Sequence, residues 1–234
     1  MTTPVVHVSY CTGDVHLGDN TAQSPSGRPV HFNGWINGTA ARQYVAVNFP
    51  DAAQVVVVGL SAGAVAAPLY AAALSDQLPD ARITVLADSS GAYPDNANPM
   101  LSDLWGTGTM QSAFPDYPGD WSTRNFVVAG LHDPAIVFGR VDYAFDETQA
   151  RFVAQLGVDA SDVVAAIDAN EALIEQAGVT QHSYTSPGDD HTALRDLEFY
   201  NLAVNGVPLV DWVTALIAGT PTDDVDCEDC EAPG

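Results

Sequence analysis

The apolar residues of this chain fall in short continuous runs, not in alternating ones. Residues 54–58 end in four successive valines, and residues 83–87 are apolar apart from Thr84. Runs of this length and β-branched content predict strands buried on both faces, as in a parallel sheet. Residues 5–9, 135–145 and 179–184 predict further strands. Between them lie segments of helical character. Residues 62–74 are rich in alanine, and residues 161–177 have Ser161 as a suitable N-cap and Gly178 as a stop. Residues 209–218 form an apolar helix stopped by Gly219, and residues 39–49 a short one. Residues 12–19, 20–38 and 88–122 carry Gly, Pro, Asp, Ser and Asn and read as loops. Alternation of buried strands with helices predicts an α/β fold, a mainly parallel sheet with helices on both faces. The pattern describes one domain over residues 1–219 and an acidic tail over 220–234 that is not expected to pack.

Composition narrows the function. The 234 residues hold 30 acids and seven basic residues, all arginine, for a formal charge of −23. That charge argues against nucleic acid and against anionic membranes as partners, because both would be repelled. It suits a high-salt habitat or a composition bias; the sequence localises no field for a cationic partner. No apolar stretch approaches the ~20 residues of a membrane helix, and the N-terminus has no basic region and apolar run of a signal peptide. Cys227 and Cys230 are spaced for a local disulfide, or remain as free thiols, and Cys11 has no evident partner. Neither a phosphate-binding glycine loop nor a cluster of metal ligands is present, so no cofactor or metal is expected. The sequon Asn37-Gly38-Thr39 carries little without a secretory context.

The chemistry concentrates in Gly59-Leu60-Ser61-Ala62-Gly63, a G-x-S-x-G sequence. A valine strand ends just before it and an alanine-rich helix begins just after. That is the strand–turn–helix setting of a nucleophile elbow, where small flanking residues let strand and helix approach closely. Ser61 is then the nucleophile, and the Ala62 N–H, at the helix N-terminus, an oxyanion donor. The plain reading is a βα turn with a serine N-cap.

In folds built around such an elbow the acid and then the histidine follow the nucleophile in the chain. His191, in Pro187-Gly188-Asp189-Asp190-His191-Thr192, follows the strand at 179–184 and so belongs at the edge where reactive loops gather. His182 lies within that strand, His132 precedes the strand at 135–145, and His7, His16 and His31 precede the nucleophile. By the same rule Asp146 is selected over Asp133, which sits at the other end of that strand. Asp142 lies inside it, and Asp189 and Asp190 are too close in sequence to His191. Asp146 would hold the imidazole in one tautomer, although an acid there also suits the cap of a helix over 147–156. Asp88, Ser89, Ser90 and Tyr93 follow the strand at 83–87, and are expected to line a substrate pocket. The aromatic stretch 105–121 is either a lid or substrate platform, or the cover of an apolar face.

Several segments taken together resemble the pectin acetylesterase/Notum family of carboxylesterases. They are Ser9-Tyr10-Cys11-Thr12-Gly13-Asp14 with Gly18-Asp19, Val57-Val58-Gly59-Leu60-Ser61-Ala62-Gly63 and Leu86-Ala87-Asp88-Ser89-Ser90-Gly91. To these add Ala144-Phe145-Asp146-Glu147-Thr148-Gln149 and Pro187-Gly188-Asp189-Asp190-His191. The resemblance implies an α/β-hydrolase fold and carboxylester hydrolysis by a triad that falls on Ser61, Asp146 and His191. It implies an acylated glycan or small ester as substrate, and a secreted or periplasmic location. It also implies a Gly-Gly-Gly-Trp-Cys-like segment upstream of Cys11, supplying oxyanion donors and a partner for that cysteine. That segment is not found in these residues, so the chain is expected to be N-terminally incomplete, with the first strands of the family fold missing. The competing expectation is a silent hydrolase-fold protein that binds a ligand without a complete oxyanion hole. Repulsion of demethylated pectin by the −23 charge favours a neutral acylated glycan or small ester.

Overall fold

The structure is a computed structural model that describes residues 3–94, 99–114, 117, 122–159, 161–227 and 230. In chain order its elements begin with β1 (Asn20–Gln23), β2 (Pro29–Phe32), α1 (Gly34–Asn48), β3 (Gln54–Leu60), α2 (Ala62–Ser75) and β4 (Arg82–Asp88). They continue through α3 (Pro99–Trp105), α4 (Gly108–Ser112), α5 (Thr123–His132), β5 (Val137–Tyr143), α6 (Glu147–Gln155), α7 (Val163–Gln176) and β6 (His182–Ser186). The last are α8 (Glu198–Asn201), β7 (Ala203–Val204), β8 (Val207–Pro208), α9 (Leu209–Ala218) and β9 (Val225–Asp226).

Five strands pair in the order β3-β4-β5-β6-β9, every pair parallel. Parallel strands need covered faces, and two apolar clusters supply the cover. One gathers Val85, Ala87 and Phe138 of the sheet with Ala64, Val65 and Leu69 of α2, Phe126 of α5 and Ile174 of α7. The other gathers Leu86, Val141 and Tyr184 with Trp212, Val213 and Leu216 of α9. The α/β-hydrolase-like arrangement read from the sequence is therefore the one observed, with helices on both faces.

Several boundaries differ from the sequence reading, for physical reasons. Residues 5–9 form no strand and are mostly exposed. The stretch read as loop over 20–38 contains the β1–β2 hairpin and the start of α1. The stretch 88–122 contains α3 and α4, and 123–132 is α5. Of the aromatic stretch 105–121, Trp105 and Phe114 are buried in the core, and 118–121 lie outside the described residues. In α7 the cap is Asp162, whose carboxylate accepts from Ala165 N–H, and not Ser161.

The four valines of β3 are not buried on both faces: among the described residues β3 is the edge of the sheet, and Val58 is 53% exposed. The acidic tail does pack where it is described. β9 pairs with β6, Trp212 Nε1 donates to the Asp223 carbonyl, and the Asp224 carboxylate accepts from Ser183 N–H. Cys227 and Cys230 form a disulfide there, and Cys11 is free and exposed.

Strand β3 meets helix α2 at Gly59. A Cβ on that residue would lie 2.3 Å from the Gly63 carbonyl oxygen and 2.6 Å from the Ala64 nitrogen, both rigid backbone. Gly59→Ala is expected to destabilise the fold by about 2 kcal/mol, the scale of overpacking in a close-packed core. A urea midpoint equal to the parent's would show that strand and helix can part there without cost.

Candidate active site

Because β3, β4, β5 and β6 run parallel, their C-terminal ends share one rim of the sheet. Ser61 follows β3, Asp88 ends β4, Asp146 follows β5 and His191 follows β6. The rule that reactive loops gather at this rim brings residues separated by 130 positions in sequence to one edge.

Ser61 sits at φ 52°, ψ −114°, a conformation that costs a non-glycine residue energy. Its N–H donates to the Asp88 carbonyl at 2.7 Å, which anchors the turn to the neighbouring strand. Ala62 opens α2, whose first N–H groups have no partner within the helix. Both features are those of an elbow that displays its side chain. The Tyr93 phenol faces the Ser61 side chain. Burial pushes the phenol up to about 12, the Ser61 hydrogen bond opposes that, and the charge of Asp146 adds to it. Tyr93 therefore senses both Ser61 and Asp146, although it is not among the residues that line the concavity beside His191. Among the described residues no hydrogen bond runs directly from Ser61 to His191. In ligand-free sites that contact is often long and tightens only with substrate.

Asp146 is wholly buried and has two uses at once. Its Oδ1 accepts from Thr148 N–H and Gln149 N–H, each at 2.9 Å, which caps α6. Its Oδ2 lies 2.7 Å from His191 Nδ1. The two readings open in the sequence, helix cap and histidine partner, are both realised on separate oxygens. The pairing makes Nδ1 the protonated nitrogen and leaves Nε2 as an acceptor. The other described histidine–carboxylate contact, His132 with Asp76 at 2.9 Å, sits at the C-terminal ends of α5 and α2, away from the rim.

The sequence reading missed Gln149. Its side-chain nitrogen donates to Asp142 Oδ1 at 3.0 Å and to Asp146 Oδ2 at 3.1 Å, while its Oε1 accepts from Ala92 N–H. The signal was present as D-x-x-Q, the spacing of a capping box. Asp142, passed over as a strand residue, is buried beneath the site. It receives Gly91 N–H and lies 3.9 Å from the buried guanidinium of Arg140, which also approaches Glu171.

Asp88 and Ser89 do not line a pocket. Both are 0% exposed, and their side chains bind the backbone that follows His191. Ser90 is buried too. The accessible space beside His191 is an open concavity of about 420 Å³ lined by Asp190, Thr192, Asp196, Leu197 and Glu198. No group of three or more metal-binding side chains occurs among the described residues.

The chain is similar to known proteins over part of its sequence and in its fold. Residues 3–115 match the Pectinacetylesterase family model, a span that holds Ser61 but ends before Asp146 and His191. No curated protein matches in sequence. Two crystal forms of the Wnt deacylase Notum from Drosophila are similar in structure. One has a TM-score of 0.61 at 17% identity, covering 96% of this chain and 73% of that one. The other has a TM-score of 0.59 at 14% identity, covering 97% and 72%. The chain thus shares the α/β-hydrolase fold of these structures.

The buried acids make stability depend on pH. Burial pushes Asp88 up to about 6, against the pull of the Leu194 and Ala193 amides, and Glu171 up to about 7, against the pull of Arg140. Raised carboxyl pKa values mean the folded chain binds more protons than the unfolded one between the two values, so stability is greatest below the unfolded pKa and falls as pH rises through the folded one. The urea midpoint is expected to drop between about pH 4 and about pH 7, from the unfolded to the folded pKa values of the two acids. Glu171→Gln should make that drop shallower, and an unaltered pH profile in the variant would contradict the assignment.

Proposed function

We propose that this protein is a serine carboxylester hydrolase in which Ser61 is the nucleophile, His191 the general base and Asp146 the residue that orients it. The observation that carries the reading is the 2.7 Å contact of His191 Nδ1 with a buried Asp146 on the rim where Ser61 occupies a strained elbow. His191 Nε2 takes the proton of Ser61 Oγ as that oxygen attacks the ester carbonyl. The Ala62 N–H binds the oxyanion that forms. Collapse of the tetrahedral species breaks the carbon–oxygen bond of the ester, and His191 returns the proton to the departing alcohol. Water then attacks the acyl-enzyme with His191 as base again, releasing the acid and restoring Ser61.

The likeness to the Pectinacetylesterase model and to a deacylase supports ester cleavage, and the local charge bears on the substrate. Asp190, Asp196 and Glu198 around His191 would repel a polyanion such as demethylated pectin. A neutral acylated glycan or a small ester fits better. The Cys227–Cys230 disulfide supports a secreted or periplasmic location.

A fluorophosphonate probe and p-nitrophenyl acetate test the reading. The protein should be labelled and should turn over the ester; Ser61→Ala should abolish both. Asp146→Asn should cut kcat by about 10⁴-fold, as loss of the tautomer-setting acid does in serine hydrolases. A folded parent protein that neither reacts nor turns over would instead mark a silent, ligand-binding member of the fold.

A further inference from the structure

The segment after β6 that carries His191 contains no helix or strand until α8. Its one side-chain tie to the acid, His191 with Asp146, cannot by itself fix the backbone. Ahead of the histidine the backbone is tied to the end of β5, where Phe145 N–H donates to the Gly188 carbonyl; behind it the backbone is held from β4, two strands away across β5. Thr192 N–H donates to Ser89 Oγ at 2.9 Å. Ala193 N–H donates to both oxygens of Asp88, at 2.9 and 3.1 Å, and Leu194 N–H donates to Asp88 Oδ2 at 2.8 Å. The three N–H groups directly following His191 in the chain are thus all held by two wholly buried side chains.

The backbone at this contact is under load. Thr192 has φ 72° and Ser89 has φ 62°. A β-branched residue in the left-handed region is a true outlier, and such conformations persist where surrounding bonds over-determine them. The same two residues also reach the other parts of the rim: the Asp88 carbonyl accepts from Ser61 N–H, and Ser89 N–H donates to the Val141 carbonyl of β5.

We propose that Asp88 and Ser89 are positioning residues of the reaction, which set the place of the His191 imidazole relative to Ser61 by clamping the backbone that follows the histidine. The proposal rests on the reading of Ser61, Asp146 and His191 as the catalytic set. A carboxylate suits the task because amide bonds to an ionised acceptor are about twice as strong as neutral ones. A 1 Å error in the base is enough to slow chemistry about 100-fold. The clamp also responds to pH. Burial raises the Asp88 carboxyl into the mildly acidic range, Asp142 on β5 raises it further, and the loop amides and Ser89 pull it down. Tyr143 on β5 also senses its charge. Mild acid therefore neutralises the acceptor and weakens its hold on the loop.

Asp88→Asn, which keeps the shape and removes the charge, and Ser89→Ala, which removes one acceptor, test this. Circular dichroism establishes that each is folded, and Ser89→Ala decides if Asp88→Asn is not. Fluorophosphonate labelling of Asp88→Asn is expected to be about 100-fold slower at saturating probe, with the half-saturating probe concentration little changed. Ser89→Ala should slow it about 5-fold, as loss of one hydrogen bond does. The acid limb of the wild-type labelling rate should include a component from protonation of Asp88, and Asp88→Asn should lose that component. Amide hydrogen exchange over residues 187–197 should quicken in both variants. Folded variants that keep the parent's labelling rate and acid limb would overturn the proposal. If the parent shows no Ser61-dependent labelling, the esterase reading fails instead. The exchange measurement then still judges the clamp, and unaltered exchange in both variants would remove it.

Discussion

The candidate site hangs on the short junction where β4 ends. There the Asp88 carbonyl takes the N–H of Ser61, and the Asp88 carboxylate takes two amides from the segment behind His191. The Ser89 hydroxyl takes a third amide from that segment, and the Ser89 N–H joins β5. One dipeptide thereby ties together the ends of three neighbouring strands and the loop after a fourth element of the sheet. It is able to do so because β4 is internal, with β3 on one side and β5 on the other. A polar side chain in so buried a place costs energy unless it is fully bonded, and here the bonding is the means by which the rim is assembled.

A second polar layer lies one step down the strands. Arg140 and Asp142 project from β5 to the face covered by α7, where Glu171 waits, and Gln149 bridges Asp142 to Asp146. The guanidinium lies 5.6 Å from the centre of the Phe126 ring. In a chain with seven cations against 30 acids, placing one arginine inside the protein beside two carboxyl groups, those of Asp142 and Glu171, is a concentrated use of positive charge. It lowers the cost of keeping Asp142 beneath Asp146, where like charges would otherwise push against each other. The capping of α6 and the orientation of the histidine share the same acid, so helix position and imidazole position are mechanically coupled.

Much of the frame was legible from residue pattern. The runs at β3 and β4, the alanine-rich α2 and the glycine stop after α9 were all readable, because burial and helix termination depend on residues close in sequence. The hairpin at β1–β2, the helices α3 to α5 and the pairing of β9 were not. Their stability comes from surfaces supplied by distant parts of the chain, and their local composition resembles loop. The exposed Val58 shows the converse error: four valines announce a strand, but not whether a neighbour stands on each side of it.

By itself the sequence pointed to a strand–turn–helix elbow at Ser61, to one rim of a parallel sheet as the place of the loops that follow the strands, and to Asp146 and His191 as the acid and histidine to look for there. These follow from chain order and from the direction of parallel strands, which a one-dimensional pattern can encode. Only the tertiary structure decided that Asp146 divides its oxygens between a helix and a histidine. Only it placed Gln149 beneath both, and turned Asp88 and Ser89 away from any pocket toward a backbone more than a hundred residues further on. Hydrogen bonds form between atoms within about 3 Å in space. Chain order could suggest Asp146 for the histidine, but no spacing along the chain records that Asp88 would come that close to the backbone of Ala193 and Leu194.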